Sequence, residues 1–334
     1  MKNKKTFLII VLAVVLLAAA TYLLWPKNKQ GATQSQTEEQ KLLNQSILGF
    51  NNTGQGVLFD AQSSSIKKLN PATAKLENVL SLQDAKPNYA VMSDDNSALF
   101  YTTDSSEDQT AAMGFESENL TIVSLDNSFS NLQEKDIFSP VWLDNKKIAY
   151  YLPGNNQGSV VIKDVATGKT TKQITVNAPG SQELNVLDNN HLLINDYSSD
   201  VGNISSSIAD LTNGRVAPYI TGLGLKFKTV VESKYLAYQT LENDQAVTKI
   251  IEWQNKNKLL EMQETVDNFD WLKTDKEIIY GTRGLLYRFD VASTKSVAQN
   301  KKYTEPLLAI KILSDNKLFL RTEEKTEIID LGNL

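Results

Sequence analysis

Short apolar segments recur along the chain from residue 46 onwards, and polar turns separate them. Seven apolar triplets begin 42, 49, 44, 44, 42 and 40 positions apart. They are Val57-Leu58-Phe59, Leu99-Phe100-Tyr101, Ile148-Ala149-Tyr150, Leu192-Leu193-Ile194, Leu236-Ala237-Tyr238, Ile278-Ile279-Tyr280 and Leu318-Phe319-Leu320. Most of them follow a polar turn, commonly one that contains Asp or Asn, which accept the left-handed backbone angles of tight hairpins. Short apolar runs bounded by such turns predict β-strands.

A second series of apolar segments runs in phase with the first. It comprises Ile122–Leu125, Ile162–Val165, Ile208–Leu211, Ile250–Trp253, Arg288–Val291 and Ile328–Leu331. Each repeat therefore predicts a strand, an Asp/Asn turn, a strand, a loop, a strand, a Thr/Asn/Gly turn and a final strand. Four antiparallel strands in every forty-odd residues are typical of a β-propeller blade.

The predicted fold class is all-β, a seven-bladed β-propeller, and the spacing is also compatible with six or eight blades. We number the repeats one to seven, and their approximate bounds are 46–81, 88–133, 138–174, 183–220, 226–264, 268–300 and 306–334. A helical solenoid would need an apolar period of 3.6 residues, which is absent, and a sandwich would have fewer strands. The last repeat has room for three strands. Either part of residues 31–45 supplies a fourth strand, or the last blade has three.

One segment of repeat three resembles a known family. Pro140–Tyr150 (PVWLDNKKIAY) is similar to the TolB-type propeller repeat, and Trp271-Leu272 followed by Ile278-Ile279-Tyr280 is a weaker copy. Asparagine stands where that family has glycine, and most repeats lack its proline and tryptophan. The resemblance implies a TolB-like or WD-type propeller with an interaction role. It implies no catalytic residue in this chain.

The amino terminus predicts a membrane anchor. Thr6–Pro26 contains no charged residue, and its apolar run is long enough to cross a hydrocarbon core of about 30 Å. A cleaved signal peptide is the alternative, with Ala18–Ala20 as its cleavage site. The lysines before the anchor predict a cytoplasmic tip at residues 1–5, a single-pass signal anchor at 6–26 and a polar tether at 27–45. The propeller would then be held outside the cytoplasm, at the cell membrane.

Composition narrows the classes of function. The chain has 34 Lys and Arg, 39 Asp and Glu, one His and no Cys. Because five of the lysines precede residue 31, residues 31–334 carry 29 basic and 39 acidic residues, a net charge of −10 that disfavours nucleic acid. The chain can form no disulfide and no thiolate metal site, and His191 has no second imidazole to share a metal. We expect no cofactor and no metal.

Few residues suggest catalysis. No G-x-S-x-G, P-loop or G-x-G-x-x-G motif occurs. His191 is interpreted as a polar turn residue. The repeated Asp164, Asp210, Asp290 and Asp330 stand beside turns, so each is expected to cap its own hairpin. We therefore predict no catalytic residue.

Loop length indicates a binding face. The connections between the second and third strands are predicted to be long in repeats two to five and short in repeats one, six and seven. In repeat two the connection places apolar residues within an acidic segment. The candidate binding residues are Met113, Phe115, Glu116, Asp196, Tyr197 and Asp200.

These features favour a membrane-anchored, extracytoplasmic propeller that acts as a non-catalytic protein-binding platform. Its partner would be an unidentified envelope or secreted protein. The alternative is an anchored polysaccharide or peptide hydrolase or lyase that uses carboxylates from propeller loops.

Overall fold

The computed structural model describes residue 42 and residues 45–70, 72–83, 85–105, 117–177, 182–196, 205–221, 224–229, 233–242, 245–262, 266–272, 276–313 and 316–334. All of them belong to one compact unit, Glu38–Leu334. None of the helices in these ranges has the length and apolar character that crossing a membrane requires. The predicted anchor at residues 6–26 lies outside the described residues.

Repeat one forms a four-stranded antiparallel sheet. Its strands are β1 (Ser46–Phe50), β2 (Gly56–Asp60), β3 (Ser65–Leu69) and β4 (Leu76–Ser81), in that order.

Repeats two and three share a seven-stranded sheet. Its strands follow chain order: β5 (Tyr89–Met92), β6 (Ala98–Asp104), β7 (Glu118–Ser124), β8 (Leu132–Asp144), β9 (Lys147–Leu152), β10 (Gly158–Asp164) and β11 (Thr170–Val176). The first part of β8 pairs with β7 and the second part pairs with β9. One long strand thus ends one repeat and begins the next.

The remaining repeats form separate sheets, each with its strands in chain order. Repeat four contains β12 (Gln182–Asp188), β13 (His191–Asp196), β14 (Ser205–Asp210) and β15 (Val216–Thr221). Repeat five contains β16 (Gly224–Thr229), β17 (Tyr235–Glu242), β18 (Gln245–Glu252) and β19 (Asn257–Met262). Repeat six contains β20 (Asn268–Trp271), β21 (Glu277–Thr282), β22 (Leu285–Asp290) and β23 (Lys295–Lys302). Repeat seven contains β24 (Ala309–Ile312), β25 (Lys317–Arg321) and β26 (Thr326–Asp330), and a 3₁₀ helix follows at Leu331–Asn333.

The prediction of an all-β, propeller-like arrangement is confirmed. Each apolar triplet lies on the second strand of its repeat, where both faces of the strand are covered. In repeat four, for example, Leu192 and Ile194 pack against repeat three, whereas Leu193 packs against repeat five. Alternate residues of a strand point to opposite faces, so a strand between two neighbouring sheets must be apolar throughout.

Buried side chains join the repeats in succession. Each core cluster that the described residues form combines two consecutive repeats. One further cluster joins repeat seven to repeat one through Leu313 and Phe319 on one side and Leu58 and Leu69 on the other. Because the succession returns to its starting point, the ends of this unit are held together by packing.

The junction of repeats seven and one also involves residues that precede β1. Leu42 is buried in the joining cluster, and Arg321 Nη1 donates to the Gln45 carbonyl oxygen at 2.9 Å. Within the described residues the last sheet has three strands. The predicted fourth strand falls mainly on 31–41, which lies outside the described residues.

The hairpin aspartates act as expected at three of four positions. Asp164 accepts from Thr167 N at 2.8 Å, and Asp210 and Asp290 accept comparable bonds inside their own turns. These bonds confirm the interpretation as turn caps. It is wrong for Asp330, whose side chain makes no capping bond because a 3₁₀ helix follows and no further strand turns back.

The loop prediction is wrong for repeat five. Strands β17 and β18 stay paired as far as Glu242 opposite Gln245, which leaves two residues between them. The polar residues that suggested a loop instead extend a hairpin. Long connections remain between β6 and β7, β9 and β10, and β13 and β14. Among the connections between second and third strands, the long ones are therefore those of repeats two to four.

Candidate functional site

The structure describes one of the six candidate binding residues. The other five lie outside the described residues: Met113, Phe115, Glu116, Tyr197 and Asp200. Asp196 is the last residue of β13 and is half-buried. The candidate site is therefore built from the strand ends that carry these connections.

The three long connections leave the same end of their sheets. In an antiparallel meander the second strand ends where the first begins and where the third begins. We use "loop face" for this end in repeats two to four: the starts of β5 and β12, the ends of β6, β9 and β13, and the starts of β7, β10 and β14.

Two carboxylates lie opposite each other at the base of the connection in repeat two. Asp104 and Glu118 are cross-strand partners. Asn88 Nδ2 donates to Asp104 Oδ1 at 2.6 Å and to Glu118 Oε1 at 3.3 Å. Burial raises the pKa of Glu118, and the charge of Asp104 raises it further, against the lowering effect of its hydrogen bonds. Like charges directly opposite each other repel, so this pair favours a positively charged or protonated neighbour.

Tyr89 brings acids of two repeats together. It begins β5, and its pKa is raised to about 12 by burial and then by the charges of Glu183 on β12 and Glu118 on β7. Glu183 Oε2 accepts from Asn195 Nδ2 at 3.0 Å, and the buried Asn195 accepts from Ser206 Oγ at 2.8 Å. Carboxylates of repeats two and four thus lie close enough to one tyrosine for their charges to raise its pKa.

Asp196 has a neutral donor beside it. Gln182 lies opposite Asp196 across β12 and β13, and its Nε2 donates to Asp196 Oδ1 at 2.8 Å. Gln182 is 4% exposed, and its Oε1 atom is buried and accepts no hydrogen bond from the described residues. Burial raises the pKa of the nearby Tyr151 to about 12, and the charge of Asp196 adds to the effect. The amide orients the carboxylate without neutralising it.

The loop face is acidic in sequence as well as in structure. The connection 105–117 contains Glu107, Asp108 and Glu116, and residues 105–117, 153–157, 177–181 and 197–204 contain no Lys or Arg. Lys86 and Lys135 adjoin this surface and are exposed. At the same end of repeats six and seven, basic and acidic residues are mixed, and Lys301 and Lys325 both pair with Glu327. The long connections of repeats two to four thus differ in carrying acidic residues without Lys or Arg.

His191 lies at the opposite end of its sheet from the loop face. It begins β13, its Nδ1 is 2.8 Å from Asp188 Oδ1, and its ring lies 5.2 Å from that of Trp253. This arrangement joins a turn of repeat four to repeat five. Within the described part of the chain, no three His, Cys, Asp or Glu side chains are grouped as metal ligands.

Several residues of the loop face belong to no recognisable sequence motif. The sequence did contain one signal: the residue directly after each triplet is polar in six repeats, as Asp60, Thr102, Tyr151, Asn195, Gln239 and Arg321. In the structure some of these side chains bond to segments between strands: Gln239 Nε2 donates to the Val266 oxygen at 2.8 Å, and Asp60 Oδ1 accepts from Gln62 N at 3.1 Å. The signal locates the loop end of each second strand, but not its partners on other repeats.

Comparisons with known proteins identify the fold alone. No family model matches the chain, and no curated protein sequence matches it. Among solved structures it is similar to hydrazine synthase of Kuenenia stuttgartiensis (13% identity, 90% of this chain and 98% of that chain, TM-score 0.59). It is also similar to Hsv2 of Kluyveromyces lactis with its complete loop 6CD (11% identity, 84% and 91%, TM-score 0.57). BamB of Moraxella catarrhalis is a third similar structure (14% identity, 84% and 84%, TM-score 0.52). At these identities the likeness extends to the β-propeller architecture.

Proposed function

We propose that this chain is a membrane-anchored, extracytoplasmic β-propeller that acts as a non-catalytic protein-binding platform in the cell envelope. One observation carries the proposal: the loop face of repeats two to four holds acidic side chains in fixed positions at the edge of a continuous core. Scaffolds of this kind commonly bind partners through loops that a rigid framework positions. The partner would be an envelope or secreted protein.

We infer that the unit has seven blades. The seven-stranded sheet divides at β8, because a core cluster packs β5, β6 and β7 against β9 and β10. Counting it as two blades makes each repeat one blade. The TolB-type segment lies at this division, where Trp142 Nε1 donates to the Val91 oxygen of the preceding repeat at 3.0 Å. This hydrogen bond between repeats explains why a tryptophan stands at this position of the TolB-like segment.

The anchor is part of the same proposal. It rests on the uncharged segment Thr6–Pro26 and on the lysines that precede it. A tether at 27–45 would then connect it to the propeller. Protease protection of the full-length protein in oriented membrane vesicles tests this: the propeller should be digested only from the extracytoplasmic side.

Site-specific photo-crosslinking in native membranes tests the platform. The probe replaces Phe115, and a control probe replaces Arg283, an exposed residue in the short turn between β21 and β22. We expect a discrete protein adduct from position 115 and none from position 283. Absence of an adduct at position 115, or equal capture at both positions, contradicts the proposal.

One observation favours a second candidate function. The oxygens of Asp104 and Glu118 share a single amide donor, so they lie within the few ångströms that separate the two carboxylates of a retaining glycosidase. Glu118 also has a raised pKa, as a general acid requires. Against this, the Asn88 amide occupies the position between the two carboxylates. Turnover of an extracellular polysaccharide or peptide that Glu118→Gln abolishes would establish the hydrolase or lyase and refute the platform.

A further inference from the structure

We propose that Asp104 and Glu118 form a site that binds one proton and thereby controls how tightly β6 pairs with β7 at the base of the repeat-two connection. Acidification places the proton on Glu118, removes the repulsion between the two carboxylates and tightens the end of this hairpin. The inference goes beyond the proposed platform and does not depend on it, because the site lies within the propeller itself.

The two carboxylates stand at the end of the ladder between β6 and β7. Asp104 ends β6, Glu118 begins β7, and the two residues lie directly opposite each other. Like charges in this arrangement destabilise the pairing of two strands. The next backbone bond outwards, from Ser105 N to the Ser117 oxygen, is 3.3 Å long. That length exceeds the usual range of about 2.7–3.2 Å, so backbone bonding is stretched beside the two charges.

The segment before β5 and β5 itself bring no positive charge into contact with the pair. Asn88 Nδ2 is a neutral donor that both carboxylates share. Tyr89 is neutral at pH 7, because its pKa is raised to about 12. Lys86 is exposed, and among the described residues no Lys or Arg forms an ion pair with Asp104 or Glu118.

The other neighbouring elements, β8 and β12, add negative charge. On β8, Asp136 Oδ1 accepts from Ser105 Oγ at 2.7 Å, which places a third carboxylate at the base of the connection. Lys135 beside it is exposed, so solvent screens its charge. Glu183 of β12 acts on the same tyrosine as Glu118 does. A proton on Glu118 is therefore the simplest way to reduce the negative charge of this region.

A buried hydroxyl can accept the hydrogen that Glu118 carries once it is protonated. Thr102 lies on the same face of β6 as Asp104 and is fully buried. Its Oγ1 atom forms no hydrogen bond of good geometry with the described residues, although it is close enough to Glu118 to influence the Glu118 pKa. A hydroxyl oxygen accepts as well as donates. Protonated Glu118 offers this oxygen a donor, which charged Glu118 cannot do.

Burial favours the protonated form of Glu118 in the folded protein. It is the largest cause that raises the Glu118 pKa above its ordinary 4.5, and the charge of Asp104 adds to it. The stability that protonation contributes is complete below the unfolded pKa and is lost as pH rises through the higher, folded pKa. Acidification from neutral pH should therefore stabilise this end of the hairpin.

Amide hydrogen exchange of the full-length protein in detergent tests the inference. The protection factor of the Ser105 amide, which corrects for the intrinsic effect of pH on exchange, is measured by NMR at about pH 7.5 and about pH 4. We expect protection to rise about threefold on acidification, within the range of a cross-strand charge pair. The change is modest because Asp104 is exposed and solvent screens part of the repulsion.

Three variants assign the effect to the pair. Glu118→Gln is neutral at every pH, so its Ser105 amide should be protected about threefold more than that of the wild type at neutral pH and should not respond to acidification. Asp104→Asn removes the repulsion from the other strand and should raise protection at neutral pH by about twofold. Glu323→Gln makes the same chemical change at an exposed position of repeat seven and should keep the wild-type response. Circular dichroism verifies the fold of each variant.

Several results overturn the inference. One is Ser105 protection that stays constant or falls when the wild type is acidified, and another is a rise that persists in Glu118→Gln. If Glu118→Gln fails to fold, wild-type protection in Asp104→Asn at neutral pH has the same force. No partner is added in these measurements, so a failure to capture a protein at position 115 refutes the platform and leaves this inference standing.

Discussion

Replacement of Glu327 by glutamine should weaken the junction between the last two repeats. Glu327 lies on β26 with 9% of its side chain exposed, and it pairs with Lys301 of β23 at 2.7 Å and with Lys325. Glutamine keeps the volume and removes both charge-assisted bonds. Such a bond contributes about 1.5–3 kcal/mol when buried, but Lys325 is 55% exposed, so its pair contributes little. We expect a loss of about 2–3 kcal/mol in the free energy of unfolding.

Urea denaturation of the full-length protein in detergent, followed by tryptophan fluorescence, measures this loss. Glu323→Gln, at an exposed position of the same repeat, is the control and should change stability by less than about 0.5 kcal/mol. Burial acts to raise the pKa of Glu327, but the bonds from Lys301 and Lys325 outweigh it and hold the pKa below its ordinary 4.5. The stabilisation is therefore complete above the unfolded pKa and disappears as pH falls through the lower, folded pKa. The difference between wild type and Glu327→Gln should shrink below about pH 4.5. A difference below 0.5 kcal/mol at pH 7, or one that grows on acidification, would refute the reasoning.

Three further substitutions test other parts of the structure. Trp142→Phe leaves a buried carbonyl oxygen of β5 without its donor and should cost about 1–3 kcal/mol, measured by the same urea titration. Gly284→Ala should cost more than about 1 kcal/mol, because its φ is +73° and a Cβ would meet a backbone oxygen at 2.1 Å, whereas Gly332→Ala meets nothing within 4 Å and should be neutral. Glu118→Gln removes a negative charge near Tyr89, so the Tyr89 pKa should fall below about 12, as followed by NMR of ¹³C-labelled tyrosine.

Local pattern was sufficient to predict the strands and the class of fold. The triplets are apolar at every position because neighbouring sheets cover both faces of the second strand, so their spacing reports the repeat directly. Hairpin turns are equally local, and Asp164 and Asp210 bond within three residues of themselves. The prediction failed at Asp330, where the outcome depends on the next strand, and between β17 and β18, where cross-strand pairing extended polar residues into a hairpin.

The contacts of the loop face were harder to predict from the sequence than the strands were. Its contacts join residues far apart in the chain, such as Asn88 with Glu118, and no local pattern encodes which strand ends meet. Gln182 is an ordinary polar residue in sequence, and its significance comes from burial beside Asp196. These polar contacts depend on which strand ends the topology of the sheets brings together.

The continuous strand β8 restricts where recombination can separate the repeats of such a protein. Elsewhere the chain leaves one sheet and enters the next through a separate connection, which is six residues long between β23 and β24 and two residues long between β15 and β16. Between repeats two and three the boundary falls inside a continuous strand of 13 residues, marked by positive φ at Asp136 and Ser139. An insertion, deletion or exchange at this boundary would sever two sheets at once. Repeats two and three therefore form one module in any exchange of whole repeats.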